Sequence, residues 1–385
     1  MKPLPYLKLS GFYFFYFASL GAFIPYWGLY LKTQGFEPDQ VGHLMAVVQG
    51  TKIIAPNVWG WLADLKGRRA GIIRLGAMLS LIMFSGATFA AGYWWLMAVM
   101  ALFSFFWNAV LPQFEAATLK NLGEETHRYS QVRLWGSVGF IVSVAGLGPV
   151  FERFGMSVLP WLVLALLFGL WINSLAIPEA PPSTEESQAR ESIFQVLRHP
   201  AVLFLLASCF FIQASHGPYY TFYTIYLEDY GYSRSAAGQL WALGVLAEVG
   251  IFLVLHRWVP RFGAWRLLLA AMLLTTLRWA VVATMVSNPV FIVGAQTLHA
   301  ASFGVYHVAA IQLIFQYFPG SLQGRGQALY SSLSFGLGGA MGSFISGYVW
   351  AGLGGPWVFG FGALLAALGI ITTALGLRSS ARAVL

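Results

Sequence analysis

Read from its N-terminus, the chain alternates long apolar runs with short polar breaks. Twelve such runs stand out, at roughly 10–31, 41–63, 71–91, 95–119, 130–150, 158–177, 200–229, 237–256, 265–286, 289–318, 326–351 and 357–377. Each approaches the ~20 residues that an α-helix needs to cross a ~30 Å hydrocarbon layer. Strands of a membrane barrel would alternate apolar and polar positions, and segments such as 71–91 (GIIRLGAMLSLIMFSGATFAA) do not. The pattern predicts an all-α polytopic membrane protein of twelve transmembrane helices. The first run, preceded by Lys2 and Lys8, imitates a secretory signal, but it is too long and further runs follow it. It reads as the first span.

The polar breaks divide the chain. The longest, 178–199 (PEAPPSTEESQARESIFQVLRH), is too rich in Pro, Glu and Ser to bury a core and reads as a cytoplasmic linker. It separates residues 1–177 from 200–385, six runs on each side. The two sides are related in sequence, because residues 21–47 match residues 217–243. Gly21/Gly217, Tyr30/Tyr226, Leu31/Leu227, Gly35/Gly231, Gly42/Gly238 and Leu44/Leu240 are identical. Two pseudo-symmetric six-helix bundles are expected, and a parallel repeat of this kind suits alternating access.

Composition sharpens the class. The 385 residues are 58% hydrophobic and 9% charged, against about 25% charged in soluble domains. A net charge of +8 could suggest nucleic acid, but its distribution argues for topology instead. With the N-terminus inside, sixteen of the 22 Lys and Arg fall in cytoplasmic segments, three (Lys32, Arg153 and Arg234) fall opposite, and three lie within spans. The positive-inside rule then puts both termini in the cytoplasm of a bacterial cell, with the chain in its inner membrane. Fifteen Trp, 17 Tyr and 31 Phe suit interfacial belts and an aromatic-lined cavity. The one cysteine, Cys209, excludes an intramolecular disulfide and a Cys-based metal site, and reads as packing. A polytopic enzyme is disfavoured, because the chain offers no H-x(4)-D, zincin or G-x-S-x-G pattern. It has no phosphate-binding loop either, so neither ATP drive nor a cofactor is expected. The expected partners are a small-molecule substrate, protons and the lipid bilayer, with the chain working as a monomer.

The loop after the second run reads Gly60-Trp-Leu-Ala-Asp64-Leu-Lys-Gly67-Arg68-Arg69. Gly60 allows close helix approach, Asp64 can pair with a cation beside a neighbouring helix, Gly67 permits a tight turn, and Arg68 and Arg69 hold the cytoplasmic face. These positions fit the G-x-x-x-D-x-x-G-R-R signature, and on them the chain resembles the major facilitator superfamily. Within it the chain is similar to the lactose-permease-like group, most of all to the phenylpropionate permease family of proton symporters. The resemblance runs over nearly the whole chain. It implies that Glu115 in span four and Arg133 in span five, the latter within Val132-Arg133-Leu134-Trp135-Gly136-Ser137-Val138-Gly139, hold substrate. It also places His299, in Gln296-Thr-Leu-His299, and Arg278 on that group's coupling positions. Gln296 and Ser302 stand where lactose permease has a lysine and a glutamate, so its proton site is not simply carried over. Glu248 in span eight is a nearby acid that could serve, paired with Arg278 or separated from it as the protein changes state.

Charged residues at membrane depth cost at least ~2.5–3.5 kcal/mol each and mark a pathway or a pair. Five lie there: Lys52, Glu115, Arg133, Glu248 and Arg278. Lys52 lies twelve residues before Asp64, about 18 Å along a helix, where a substrate carboxylate is a sensible partner and an interhelical hydrogen bond the plainer one. Three positive groups against two negative ones favour an organic anion over an uncharged sugar. Tyr26, Trp135 and Tyr220 could wall an aromatic substrate, with Asn108 and Gln213 as hydrogen-bonding groups, although aromatic residues in membranes more often face lipid or pack. The expectation is proton-coupled import of a small aromatic carboxylate. A sugar or nucleoside symporter and a drug/proton antiporter remain open.

Overall fold

A computed structural model describes residues 6–89, 92–179 and 193–382. Fifteen α-helices follow one another: α1 Tyr6–Thr33, α2 Pro38–Lys66, α3 Arg69–Ser85, α4 Tyr93–Leu122, α5 Tyr129–Phe154, α6 Leu159–Leu175, α7 Ile193–Leu197, α8 Pro200–Asp229, α9 Arg234–Phe262, α10 Ala264–Met285, α11 Pro289–Thr297, α12 Tyr306–Tyr317, α13 Gln323–Ser331, α14 Gly339–Leu353 and α15 Gly355–Arg382. No strand occurs among the described residues. A π-helical segment, Ala300–Val305, joins α11 to α12, and a second, Ser332–Gly338, joins α13 to α14. Counting each joined pair once, and setting aside the single turn of α7, twelve rods result. Among the described residues, ten helices are long and apolar enough to cross a membrane. The others are α2, whose length carries Lys52 and acidic ends, and the rod broken into α13 and α14. Most of the expected linker lies outside the described residues.

The chain forms two compact units. One holds residues 1–185 with 232–242, and the other holds residues 186–231 with 243–385. The boundary falls inside the expected linker, while the first turns of α9 group with the first unit.

Inside the first unit α1 packs on α5 and α6, and α4 on α2 and α3. Inside the second, α8 packs on α14 and α15, and α10 on α15 and α12. Lipid tails are as apolar as leucine, so helix association rests on close packing and on small residues that let backbones meet. The repeat shows this directly. A side chain at Gly21 would meet the backbone of Phe140 on α5, and one at its counterpart Gly217 would meet the backbone of Gly342 on α14. The matched pair Gly35 and Gly231 ends α1 and α8 with φ of 84° and 82°, a left-handed turn natural to glycine. Large apolar side chains such as Trp94, Leu253 and Val290 are exposed on the helices, as a lipid-facing surface requires. Cys209 is buried among Leu205, Ile212 and Tyr306.

Candidate functional site

Each unit carries its own polar cluster. In the first, α4 and α5 bring Glu115 and Arg133 together, with Arg133 Nε 3.9 Å from Glu115 Oε1 and about a third of each side chain exposed. The guanidinium lies 4.0 Å from the centre of the Phe17 ring and 5.5 Å from that of Tyr13, both on α1. An arginine held between a carboxylate and aromatic faces is oriented as well as neutralised.

The other candidates of this unit are committed differently. Asn108 is buried and donates from Nδ2 to the Val48 carbonyl and to Thr51 Oγ1, each at 2.9 Å, and Thr51 donates to Ser104 at 3.0 Å. That ladder fastens α4 to α2. Lys52, half-buried beside it, donates to Gln49 Oε1 on its own helix. Tyr26 is fully buried and gives its hydroxyl to the Val144 carbonyl at 2.7 Å. Trp135 is 40% exposed and donates to the Tyr6 hydroxyl at 3.1 Å. Tyr26 and Trp135 therefore bear on α5 at places nine residues apart, about two and a half turns, and the structure does not bring them together.

The signature loop closes on α4. Gly67 has φ of 61° and donates its N–H to the Ala63 carbonyl, which ends α2. Asp64 Oδ1 pairs with Arg69 Nη2 at 2.6 Å, and Arg69 Nη1 donates to Gln113 Oε1 at 3.3 Å. A Cβ at Gly60 would lie 3.3 Å from the same Gln113 amide. Arg68 is exposed, at the start of α3. Gln113 is thus the receiver of the loop, and its distance along the chain hid it from sequence reasoning. The N-terminus of α3 is met by a carboxylate, with Ala70 N–H donating to Glu179 Oε1 at 3.1 Å.

The cluster of the second unit is drier. Arg278 on α10 is fully buried. Its Nη1 donates to His299 Nδ1 at 3.1 Å and to Ser302 Oγ at 2.8 Å, and its Nη2 donates to Gln296 Oε1 at 2.9 Å. Trp279 and Tyr219 lie 4.2 and 4.5 Å from the guanidinium, ring centre to Cζ. On the far side of His299, Nε2 lies 3.6 Å from Glu248 Oε2. His299 thus stands between Glu248 and Arg278, which is the separated one of the two arrangements expected for that pair. Arginine has no acceptor, so His299 Nδ1 must be the acceptor, and the imidazole proton sits on Nε2, facing Glu248.

Two features of the backbone make this contact. Ser302 belongs to the π-helical segment that begins just after His299, and such segments gather at functional sites. Gly244 lies against the His299 ring, and Gly304 against Ile251 and Glu248, so α9 comes close enough for its acid to reach the imidazole.

Gln213 on α8 is buried and neither atom of its amide has a partner. Tyr220 is half-buried, its ring 5.8 Å from that of His216. His216, whose Nδ1 donates to the Ile212 carbonyl at 2.7 Å, keeps an unpartnered Nε2. No group of three or more metal-ligating side chains occurs among the described residues.

Comparison with known proteins agrees with this architecture. The MFS_1 like family matches residues 6–361. A probable 3-phenylpropionic acid transporter of Escherichia coli (strain K12) is 33% identical over 357 residues, covering 89% of this chain and 90% of that protein. The maltose permease of Geobacillus stearothermophilus is 23% identical, covering 88% and 86%. Among solved structures, the nucleoside transporter NupG superposes with a TM-score of 0.83 at 15% identity, over 97% of this chain and 98% of that one. At that identity the likeness is one of fold.

Proposed function

Because the chain belongs to the MFS_1 like family, a branch of the major facilitator superfamily, we propose that it imports a small aromatic carboxylate together with a proton. Transport across a membrane is the activity of its relatives, and the chain is a multi-pass membrane transporter. The single observation that carries the finer reading is the string Glu248–His299–Arg278, which joins a proton acceptor to a buried, fixed cation through one imidazole. A coupled carrier needs a group whose protonation changes with its surroundings, and an anionic cargo needs a cation. The relative named as a probable 3-phenylpropionic acid transporter supports the choice of cargo.

In this reading Glu115, Arg133, Lys52, Asn108, Tyr26 and Trp135 shape the substrate path in the first unit, and Gln213 and Tyr220 shape it in the second. Asp64 and Arg69 hold the cytoplasmic loop in one of the two access states. Both termini lie in the cytoplasm, and one chain suffices.

The test is uptake of radiolabelled 3-phenylpropionate into membrane vesicles, with and without an imposed proton gradient, against maltose and a nucleoside. Gradient-driven accumulation of the acid alone is expected. Accumulation of either neutral compound in its place would overturn the reading.

A further inference from the structure

Among the described residues, Arg278 is the one Asp, Glu, Lys or Arg side chain in the buried class. It is nevertheless held by uncharged groups: the neutral imidazole of His299, the Ser302 hydroxyl and the Gln296 carbonyl. Two donors at the same spot remain unspent, Arg278 Nε–H and the Gln296 amide Nε2. Neutral dipoles do not offset the desolvation of a buried charge as an anion does, and each orphaned donor adds to the cost. Arg133 is in the opposite condition, with Glu115 close by and a third of its side chain exposed.

We propose that Arg278, rather than Arg133, takes the carboxylate of the substrate, and that a proton enters on Glu248 in the same event. This rests on the reading that the cargo is an aromatic carboxylate. The carboxylate oxygens lie against Nε–H and Nη2–H, the edge of the guanidinium that offers two parallel donors. The Gln296 carbonyl leaves Nη2, and its amide turns to present Nε2–H as a third donor. Trp279 and Tyr219 flank the pair and exclude water, which strengthens the attraction.

The proton follows from the imidazole. While Arg278 donates to Nδ1, His299 cannot become an imidazolium without setting two donors against each other, so Glu248 is the acceptor. Glu248 is faced by His299 from the α11–α12 rod and by Tyr219 and Tyr220 from α8, while Arg278 from α10 and His216 from α8 lie against the same imidazole. Arg278 is the cation of this group. An anion arriving there adds one negative charge, and a proton on Glu248 restores the balance. Each therefore favours the binding of the other.

The experiment measures binding of 3-phenylpropionate and of neutral 3-phenylpropionamide to the purified protein by calorimetry, at about pH 5.5 and about pH 8. Wild type is expected to prefer the acid about 100-fold at the lower pH, with affinity for the acid falling about tenfold at the higher. Arg278→Gln brings the two compounds within about threefold of each other, whereas Arg133→Gln preserves the preference even if both bind more weakly. Glu248→Gln, which mimics the protonated acid, retains the preference and loses the pH dependence. A preference that survives Arg278→Gln, or disappears in Arg133→Gln, overturns the assignment. If Arg278→Gln does not fold, Glu248→Gln decides, because persistent pH dependence there rules out the shared cluster. A wild type that binds the acid no better than the amide sinks the carboxylate reading itself, and this inference with it.

Discussion

Glu248 meets His299 through a single contact, and what passes across it can be separated by substitution. Glu248→Gln removes the proton acceptor but keeps a side chain of similar shape, so substrate exchange across the membrane should continue while gradient-driven accumulation stops. Counterflow and gradient-driven uptake in the same vesicles check this, and normal accumulation by the variant would move coupling elsewhere. At Arg133 the expected effect is on geometry. Arg133→Lys keeps the charge but loses the planar group that stacks on Phe17 and reaches Glu115, and uptake should fall about tenfold or more at unchanged membrane levels. These charged residues were legible in the sequence because an ionised group at membrane depth is rarely idle. The partners of the polar residues were not. The polar atoms of Asn108 and Tyr26 go to the carbonyls of Val48 and Val144, 60 and 118 residues away. Gln296 and Ser302 read as mere departures from a relative's pattern, although they turn out to hold Arg278.

At the scale of elements, the loop between α2 and α3 acts through α4. Asp64 and Gln113 both bond Arg69, so Asp64→Asn, Arg69→Gln and Gln113→Leu should share a phenotype. Contacts made in only one access state change the balance between states. Turnover should therefore fall about tenfold while equilibrium substrate affinity changes less than about threefold. Uptake rates set beside calorimetric binding test this, and equal loss of both would make the loop a folding determinant. The run 326–351 looked in the sequence like one ordinary span, and the structure resolves it into α13, a π-helical segment and α14. Apolar content reports how long a rod is. It does not report which hydrogen-bond ladder the backbone adopts inside it, because α and π turns bury the same side chains.

For the whole molecule, the sign of the charge on each break sets the orientation expected of it. Reporter fusions after residue 190 should show cytoplasmic activity, and fusions at 35, 154 or 232 periplasmic activity. A periplasmic reporter at 190 would invert the whole arrangement. The repeat was legible at this scale because its matched glycines perform the same tasks in both units. Gly21 and Gly217 admit a neighbouring backbone, and Gly35 and Gly231 turn the chain after α1 and α8.

The π-helical segment after His299 also bears on which insertions and deletions the chain can tolerate. A turn closed from i to i+5 holds one residue more than an α-turn. Elsewhere in a rod, deleting a residue swings everything beyond it by about 100° and strips the next helix of its partners. Between Ala300 and Val305 the same deletion can be absorbed by reverting the segment to α-geometry, leaving α12 and its His307–Tyr330 contact in place. A scan of single-residue deletions along α11 and α12 should therefore find one short window that still yields folded protein in the membrane, and that protein should fail to transport, because the lost residue is what aims Ser302 at Arg278.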